Sequence, residues 1–596
     1  MSFWLVLLLG CGEGSEARSS THVVSSLDTA STVDTGAPTD SSTPSPPTTG
    51  ATADTGADTG IATADTGGAS LGPGTYSDQR LLVDGEERVY LVHVPEGHDG
   101  RAPLPLLMDF HGTATSVPEE AYGLQAAIAL ADAEGFVLVR PRSRSSAPGG
   151  YEVFRWDQNA GDPERNLVFS LALLDHLDGQ LPLDHDRLYA MGFSSGTNQT
   201  AMLAEEAGSP FDGFAHVGGG TWHTRAQAAP GRVFLSTPYR DYMRVYHHEL
   251  VQQLARAGQP EEHRYERRSM VGHELYDDMY AELWAWLDRG EAPSSGGALG
   301  AGWAASSAPG ALAAHRGDDG RVWLAGADEG TAVAVWDGPS ASYPPITGSS
   351  VMGPRVELTG ICLTEGRGAA MGNGSVLWTD DGGESFAHHD PVTEPGPSTF
   401  GLAHWTGVGC HEGEVRGVGY WSAGASTDGL VWTDVPLTNA GYRAQVLTTA
   451  SDPDGHWVSV GYYRYLAVDG VAQPSFALGD AKWFTDAAVA DASGPDTTWV
   501  VVGDQGTVLR SVDGGLSWES VARWLGPADE LSAVAFRDDG VGLAVGRAGL
   551  AIRSDDAGAT WVDVPLGRAE LLADVVWLDD GDALVVGPDG SYRYRP

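Results

Sequence analysis

Lysine is almost missing from this chain. Of 35 basic residues only Lys482 is a lysine; the rest are arginines. Set against 80 acidic residues, they leave a formal net charge of −45. Such a surface argues against nucleic acid as a partner, because phosphates need a basic footprint. It argues equally against electrostatic docking on anionic lipid. No run of about 18 or more apolar residues occurs, so no helix is expected to span a bilayer. Cysteine is scarce as well: Cys11, Cys362 and Cys410 are all there are. No Cys/His cluster has metal-ligand spacing, so neither a metal nor a cofactor is expected.

At 596 residues the chain is too long for one core, and two or three domains are expected. It opens on an apolar run, Phe3 to Leu9, ending in Leu8-Leu9-Gly10-Cys11. This resembles a bacterial lipoprotein signal, although Met1-Ser2 supplies no basic residue before the run. The resemblance implies removal of the leader within residues 1–11, lipid on the Cys11 thiol, and a membrane-anchored, extracytoplasmic protein. Residues 12–74 are Ser, Thr, Ala, Asp, Gly and Pro with almost nothing to bury, the composition of a disordered linker. As a flexible coil it would hold its ends about 40 Å apart. Asp-Thr-Gly recurs there at Asp34, Asp54, Asp58 and Asp65. Its flanks are Ala and Thr, so it reads as low-complexity repetition.

From Thr75 to Glu291 strand-like and helix-like stretches alternate, which implies a mostly parallel α/β sheet. Leu81-Leu82-Val83 and Val89 to Val92 flank an Asp84-Gly85 hairpin turn. Leu104 to Phe110 reads as a buried parallel strand running into His111-Gly112-Thr113. Helical patterns cover 121–134, 166–177, 197–207 and 276–287. The run Arg187 to Met191 leads into Gly192-Phe193-Ser194-Ser195-Gly196, and a helix follows. Strand, Gly-x-Ser-x-Gly and helix is the context of a nucleophile elbow. In an α/β-hydrolase the acid and then the histidine come later in the chain. Asp241 follows the strand Arg232 to Ser236, and His273 precedes the last helix.

In that arrangement His273 takes the Ser194 proton, and Asp241 fixes the imidazole tautomer and stabilises the imidazolium. The oxyanion hole comes from the backbone N–H of Ser195 and one from the loop holding Gly112 and Thr113. Competing readings remain open at this stage. Asp241 could cap a helix, with Asp212 or Asp277 as the acid. His273 could face solvent, with His247 or His248 in its place. His111 reads as a packed strand-end residue that orients its loop.

His111-Gly112, the run Asp186 to Gly196 and Gly272-His273-Glu274 together resemble the polyhydroxybutyrate depolymerase and feruloyl/acetylxylan esterase group of α/β-hydrolases. The resemblance covers residues 75–291. It implies hydrolysis of carboxylic esters, polymeric ones included, through an acyl-enzyme on Ser194. Thr197 stands where that group usually has a second glycine. The acid strand runs Ser236-Thr237-Pro238-Tyr239-Arg240-Asp241 instead of the usual His-Gly-Thr-x-x-Asp. These departures keep a second reading alive: a binding or scaffold protein with a degenerate hydrolase domain.

A Gly/Ser/Ala-rich bridge, 292–301, leads to residues 302–596, where the chain repeats itself. Gly326, Gly372, Gly419, Gly461, Gly503, Gly546 and Gly587 each close a strand, at steps of 41 to 47 residues. Seven all-β copies at that period imply a seven-bladed propeller. The last copy stops before its outer strand, and the segment at Trp303 is the candidate to supply it. Cys362 and Cys410 occupy near-equivalent places in adjacent copies, so a disulfide and two buried thiols are both open.

Ser511-Val512-Asp513-Gly514-Gly515-Leu516-Ser517-Trp518 has counterparts at 554–561 and 379–386. These resemble the Asp-box repeat of sialidases, sortilin and the photosystem II assembly factor, in which Asp and Gly build a turn. A sialidase would need an arginine cluster with a Tyr–Glu pair, which cannot be placed here. The propeller is therefore expected to bind a protein, a glycan or the polymeric substrate.

Overall fold

The computed structural model describes residues 71–596 apart from 115–116, 147–152, 157–161, 207, 221–230, 294–295, 318, 328–331, 349–356, 373–374, 390–403, 421, 437–444, 474–481, 495 and 522–528. Cys11, the expected lipid site, and all but the last four residues of the 12–74 stretch lie outside the described residues.

Eight strands form the first sheet: β1 (Gly74–Val83), β2 (Glu86–Val94), β3 (Leu104–Phe110), β4 (Val137–Pro141), β5 (Leu183–Phe193), β6 (Gly213–Val217), β7 (Arg232–Ser236) and β8 (Arg264–Glu266). Their order in space is β1-β2-β4-β3-β5-β6-β7-β8. The β1–β2 hairpin is antiparallel and turns at Asp84 and Gly85, both with positive φ (50° and 79°), as an Asp-Gly turn of this twist requires. From β4 onward every neighbour is parallel. Helices α1 (Leu124–Glu134), α2 (Asp162–Asp178), α3 (Gly196–Glu205), α4 (Arg244–Arg256) and α5 (Asp277–Trp284) cover both faces. That double cover explains why β3 is buried at all seven positions and reads as a continuous apolar run. Leu106, Met108 and Phe110 face the core shared with α2, α3 and α4, while Leu107 faces the core shared with α1 and α5. β8 and the full extent of α4 carried no clear periodic signal. The last helix is shorter than its pattern, because Ala285–Arg289 continues as a π-helical turn.

Residues 303–594 form seven further sheets, the blades of a β-propeller. The ends of the domain meet in one blade: Trp303–Ala305 pairs with Gly590–Tyr594 and supplies the strand the seventh copy lacks. That closure joins the two ends of the domain in one four-stranded sheet. Cys362 and Cys410 are joined by a disulfide across neighbouring blades, with Cα atoms 5.8 Å apart.

The Asp-box turns are satisfied within themselves. Asp513 accepts from the Ser511 hydroxyl at 2.8 Å and from the Ser517 N–H at 2.9 Å, and the Trp518 indole donates to the Gly515 carbonyl at 3.1 Å. The turn at Asp556 repeats this with Ser554, Thr560 and Trp561. These bonds hold each turn between the outer strands of its blade.

The two folds share one apolar core. Tyr420, Leu447 and Trp483 of the propeller pack with Val271, Leu275 and Tyr276 of the α/β unit. The contact also buries ionisable groups. Tyr276 donates its hydroxyl to Asp504 at 2.8 Å, and Asp504 accepts the N–H groups of Lys482 and Trp483 at 2.8 and 3.2 Å. Burial pushes the Asp504 carboxyl up from 3.8 to about 7. Between those values the folded chain holds a proton that the unfolded chain has released. Stability from this group is therefore present at low pH and lost as pH rises through the window.

Asparagine at 504 can accept both N–H groups with its oxygen and donate to the Tyr276 oxygen. Asp504→Asn should accordingly keep at pH 8 about 2–4 kcal/mol that the wild type has lost. Melting temperatures from pH 5 to pH 8 test this. A variant whose melting temperature falls as steeply as wild type would contradict it.

Candidate active site

Residues at the C-terminal ends of β3, β5 and β7 converge with the 267–276 loop. β5 ends at Phe193, and Ser194 sits at φ 52°, a left-handed conformation that side chains other than glycine rarely adopt. Such a residue costs about 1–3 kcal/mol and persists where its surroundings over-determine it. Here the Ser194 N–H donates to the Val217 carbonyl at 2.9 Å. The Thr197 hydroxyl donates to the Ser194 carbonyl at 2.6 Å. Thr197, the departure from the family pattern, thus holds the turn from below. Ser194 itself is 9% exposed.

Asp241 lies in the turn after β7, fully buried. Its carboxylate accepts from His273 Nδ1 at 2.9 and 3.1 Å and from the Met243 N–H at 2.8 Å. With Nδ1 donating, Nε2 of His273 carries the lone pair. Nε2 is buried, with no hydrogen-bond partner among the described residues. The imidazole stacks on Phe193, the residue before the elbow serine, with ring centres 5.0 Å apart, and packs on Tyr242 at 4.8 Å. The acid and histidine loops are also tied to each other, Tyr239 N–H donating to the Ser269 carbonyl at 2.9 Å.

The competing residues sit elsewhere. Asp212 accepts the Leu188 N–H at 3.0 Å, just ahead of β6 and away from the strand ends that carry the elbow. Asp277 lies in the first turn of α5, beside Gly123. His247 is buried in α4 against Glu266, and His248 bonds Gln252.

The His111-Gly112-Thr113 loop borders the serine. A methyl placed on Gly112 would lie 3.4 Å from Ser194 Cβ and 2.8 Å from the Phe193 ring, so only glycine allows this approach. His111 orients the loop: Nδ1 donates to the Gly112 carbonyl at 2.5 Å, and Nε2 accepts the Ser143 N–H at 3.1 Å. Burial pulls its pKa down to about 3, so it is neutral at any working pH. The Tyr122 hydroxyl donates to the Thr113 carbonyl at 2.5 Å. Beneath the loop the Arg140 guanidinium spans the carbonyls of Ala121 and Tyr122 (2.7 and 3.0 Å) and pairs with buried Asp109 at 2.8 Å. Ser195 opens α3 as its N-cap.

Sequence reasoning missed a further set of neighbours. Arg244, three residues after the acid, makes two hydrogen bonds to propeller residue Glu357 at 2.7 and 3.0 Å. Arg240 donates to the Thr485 carbonyl at 2.7 Å. The His273 N–H donates to the phenol oxygen of Tyr420 at 3.3 Å. No local pattern could have announced partners so far along the chain. Among the described residues no group of three potential metal ligands occurs, and no helix is long and apolar enough to cross a membrane.

Strand order, elbow and loop order define an α/β-hydrolase fold followed by a seven-bladed propeller. No family model matches the chain. Among curated proteins, “Putative esterase NocK” of Nocardia uniformis subsp. tsuyamanensis is 31% identical over 153 residues, 24% of this chain. The match spans 42% of that protein, less than half its length. Among solved structures, a ferulic acid esterase aligns with 37% of this chain and 97% of its own at 12% identity, with a TM-score of 0.30. YCF48 from Cyanidioschyzon merolae aligns with 50% of this chain and 99% of its own at 15% identity, with a TM-score of 0.39.

Proposed function

We propose that the chain is a serine hydrolase of carboxylic esters, with Ser194 as nucleophile, His273 as general base and Asp241 as its orienting acid. The observation that carries this reading is the Asp241–His273 pair, buried and stacked against the residue preceding a positive-φ elbow serine. In the proposed reaction Ser194 Oγ attacks the ester carbonyl while His273 Nε2 takes its proton. The tetrahedral oxyanion is met by the backbone N–H of Ser195 and one from the Gly112–Thr113 loop. His273 returns the proton to the departing alcohol, and water, activated by the same nitrogen, hydrolyses the acyl-enzyme. The similarity to an esterase of Nocardia uniformis supports this class. Anchoring through lipid on Cys11, an extracytoplasmic location, and a polymeric ester as substrate complete the proposal. The propeller would contact the polymer, a protein or a glycan.

A fluorophosphonate should label the full chain on Ser194, as read by mass of the modified peptide, and leave Ser194→Ala unlabelled. A p-nitrophenyl acyl ester should be turned over by the first and not the second. Equal labelling of both would end the proposal. A folded wild type that takes no label and cleaves no ester would favour the alternative, a surface binding protein with a degenerate hydrolase domain.

A further inference from the structure

The acid and histidine loops are held from outside the α/β fold. The contacts come from residues at or beside the starts of propeller strands and, in Tyr420, from the end of the strand Glu414–Tyr420. Leu312, Leu571 and Ala573 enclose Tyr239 and Met270. Glu530 accepts the Ser269 hydroxyl at 2.7 Å and the Met270 N–H at 2.8 Å. Trp483 and Tyr420 close on Gly272 so tightly that an added methyl would lie 2.1 Å from the indole and 2.6 Å from the phenol oxygen. Arg240 reaches in to the Thr485 carbonyl, with Asp486, Asp574 and Glu530 supplying the opposing charge.

Tyr420 has the most specific position. Its phenol oxygen accepts the backbone N–H of His273 at 3.3 Å. Its ring packs edge-on against Tyr242, the residue after Asp241, at 5.1 Å, and Tyr242 in turn packs on the His273 imidazole. One side chain of the second fold thus touches both loops whose side chains form the Asp241–His273 pair.

We infer that the propeller completes the active site, with Tyr420 and Arg240 as positioning residues that set His273 against Asp241. The inference rests on the reading of Ser194, Asp241 and His273 as the catalytic set. It assigns the propeller a task besides capture of a ligand. It also gives a task to Tyr239 and Arg240, at the two unspecified positions before the acid: they are the residues that enter the propeller face.

Tyr420→Phe in the full chain removes the acceptor of the His273 N–H and keeps the ring. It should lower kcat about 10- to 100-fold with KM changed less than about twofold, because a displaced base harms the reacting geometry and not the substrate pocket. The far-downfield proton resonance of His273 Nδ1–H, shared with Asp241, should move or broaden. Arg240→Met should also lower kcat, and Arg240→Lys, which keeps a donor for Thr485, should recover most of it. Arg268→Ala cuts a contact between the two folds at the rim, to Asp589, and should stay within about twofold of wild type.

Wild-type kcat and an unmoved resonance in Tyr420→Phe, with Ser194→Ala inactive, would overturn the inference and leave the catalytic reading standing. Equal losses in Arg268→Ala and Arg240→Met would also overturn it, by reducing the effect to weaker docking. Full turnover by Ser194→Ala would overturn both.

Discussion

Asp241→Asn is expected to lower kcat about 10⁴-fold while leaving KM and the melting temperature nearly unchanged. The change is isosteric, and Oδ1 can still accept the Met243 N–H now held at 2.8 Å. What changes is the partner of His273 Nδ1, which now faces carboxylate oxygens at 2.9 and 3.1 Å. A carboxylate only accepts, so the ring proton must sit on Nδ1 and the lone pair on Nε2. An amide nitrogen in the same place donates, which moves the ring proton to Nε2. A protonated Nε2 cannot take the serine proton. The negative charge that stabilises the imidazolium disappears with the same substitution. Asp212→Asn and Asp277→Asn, at the two acids that the chain order also allowed, should stay within about twofold of wild type. Steady-state kinetics on a soluble ester, with thermal unfolding beside it, read both quantities. A kcat within tenfold of wild type would remove Asp241 from the mechanism.

The α/β sheet was legible because its signals are local. Apolar runs such as Leu104 to Phe110 mark strands covered on both faces, and the Asp84-Gly85 turn announces its own hairpin. The propeller was legible because repetition carries information that no single copy holds. The strand at Trp303 could be assigned by counting what the last copy lacked. The Ser194 elbow was visible because strand, Gly-x-Ser-x-Gly turn and helix follow one another within a short stretch of chain. Asp241 and His273 were placed by chain order alone, which left Asp212, Asp277, His247 and His248 standing as alternatives; that Asp241 and His273 are hydrogen-bonded to each other is a matter of folding that chain order does not show.

What stayed hidden is everything that depends on how the two folds meet. The two residues before Asp241 carry no signal when the α/β unit is considered alone. Against the propeller face they are contacts: Tyr239 packs with Leu312, Leu571 and Ala573, and Arg240 finds a carbonyl acceptor. His273 and Tyr420 lie 147 residues apart in sequence, and nothing in either neighbourhood specifies the other. The β8 strand was missed for a related reason. Arg264–Glu266 is short and polar, and it owes its conformation to pairing beside β7 rather than to its own pattern.

Gly196→Ala should cost about 3 kcal/mol or more and lower the melting temperature of the α/β unit by about 6–12 °C. The reason is contact, not backbone freedom. A methyl at this position would lie 2.1 Å from the carbonyl oxygen of Phe110 and 2.9 Å from that of His111. Both belong to backbone at the end of β3, a strand hydrogen-bonded on both sides by β4 and β5. Neither β3 nor α3 can retreat without breaking a ladder or emptying the core between them. Gly494→Ala is the control. Its added methyl meets nothing closer than 3.8 Å, and the change should fall within about 0.5 kcal/mol of wild type. The same clash pushes α3 away from the loop that begins at His111. The positive φ of Ser194 is held by that packing, so the residual folded protein should also lose ester turnover in excess of its loss of folded fraction. Unfolding curves and active-site titration with a phosphonate separate the two losses. A Gly196→Ala protein that melts with wild type and labels fully would mean that α3 can shift freely against β3, and the elbow would then be an ordinary turn.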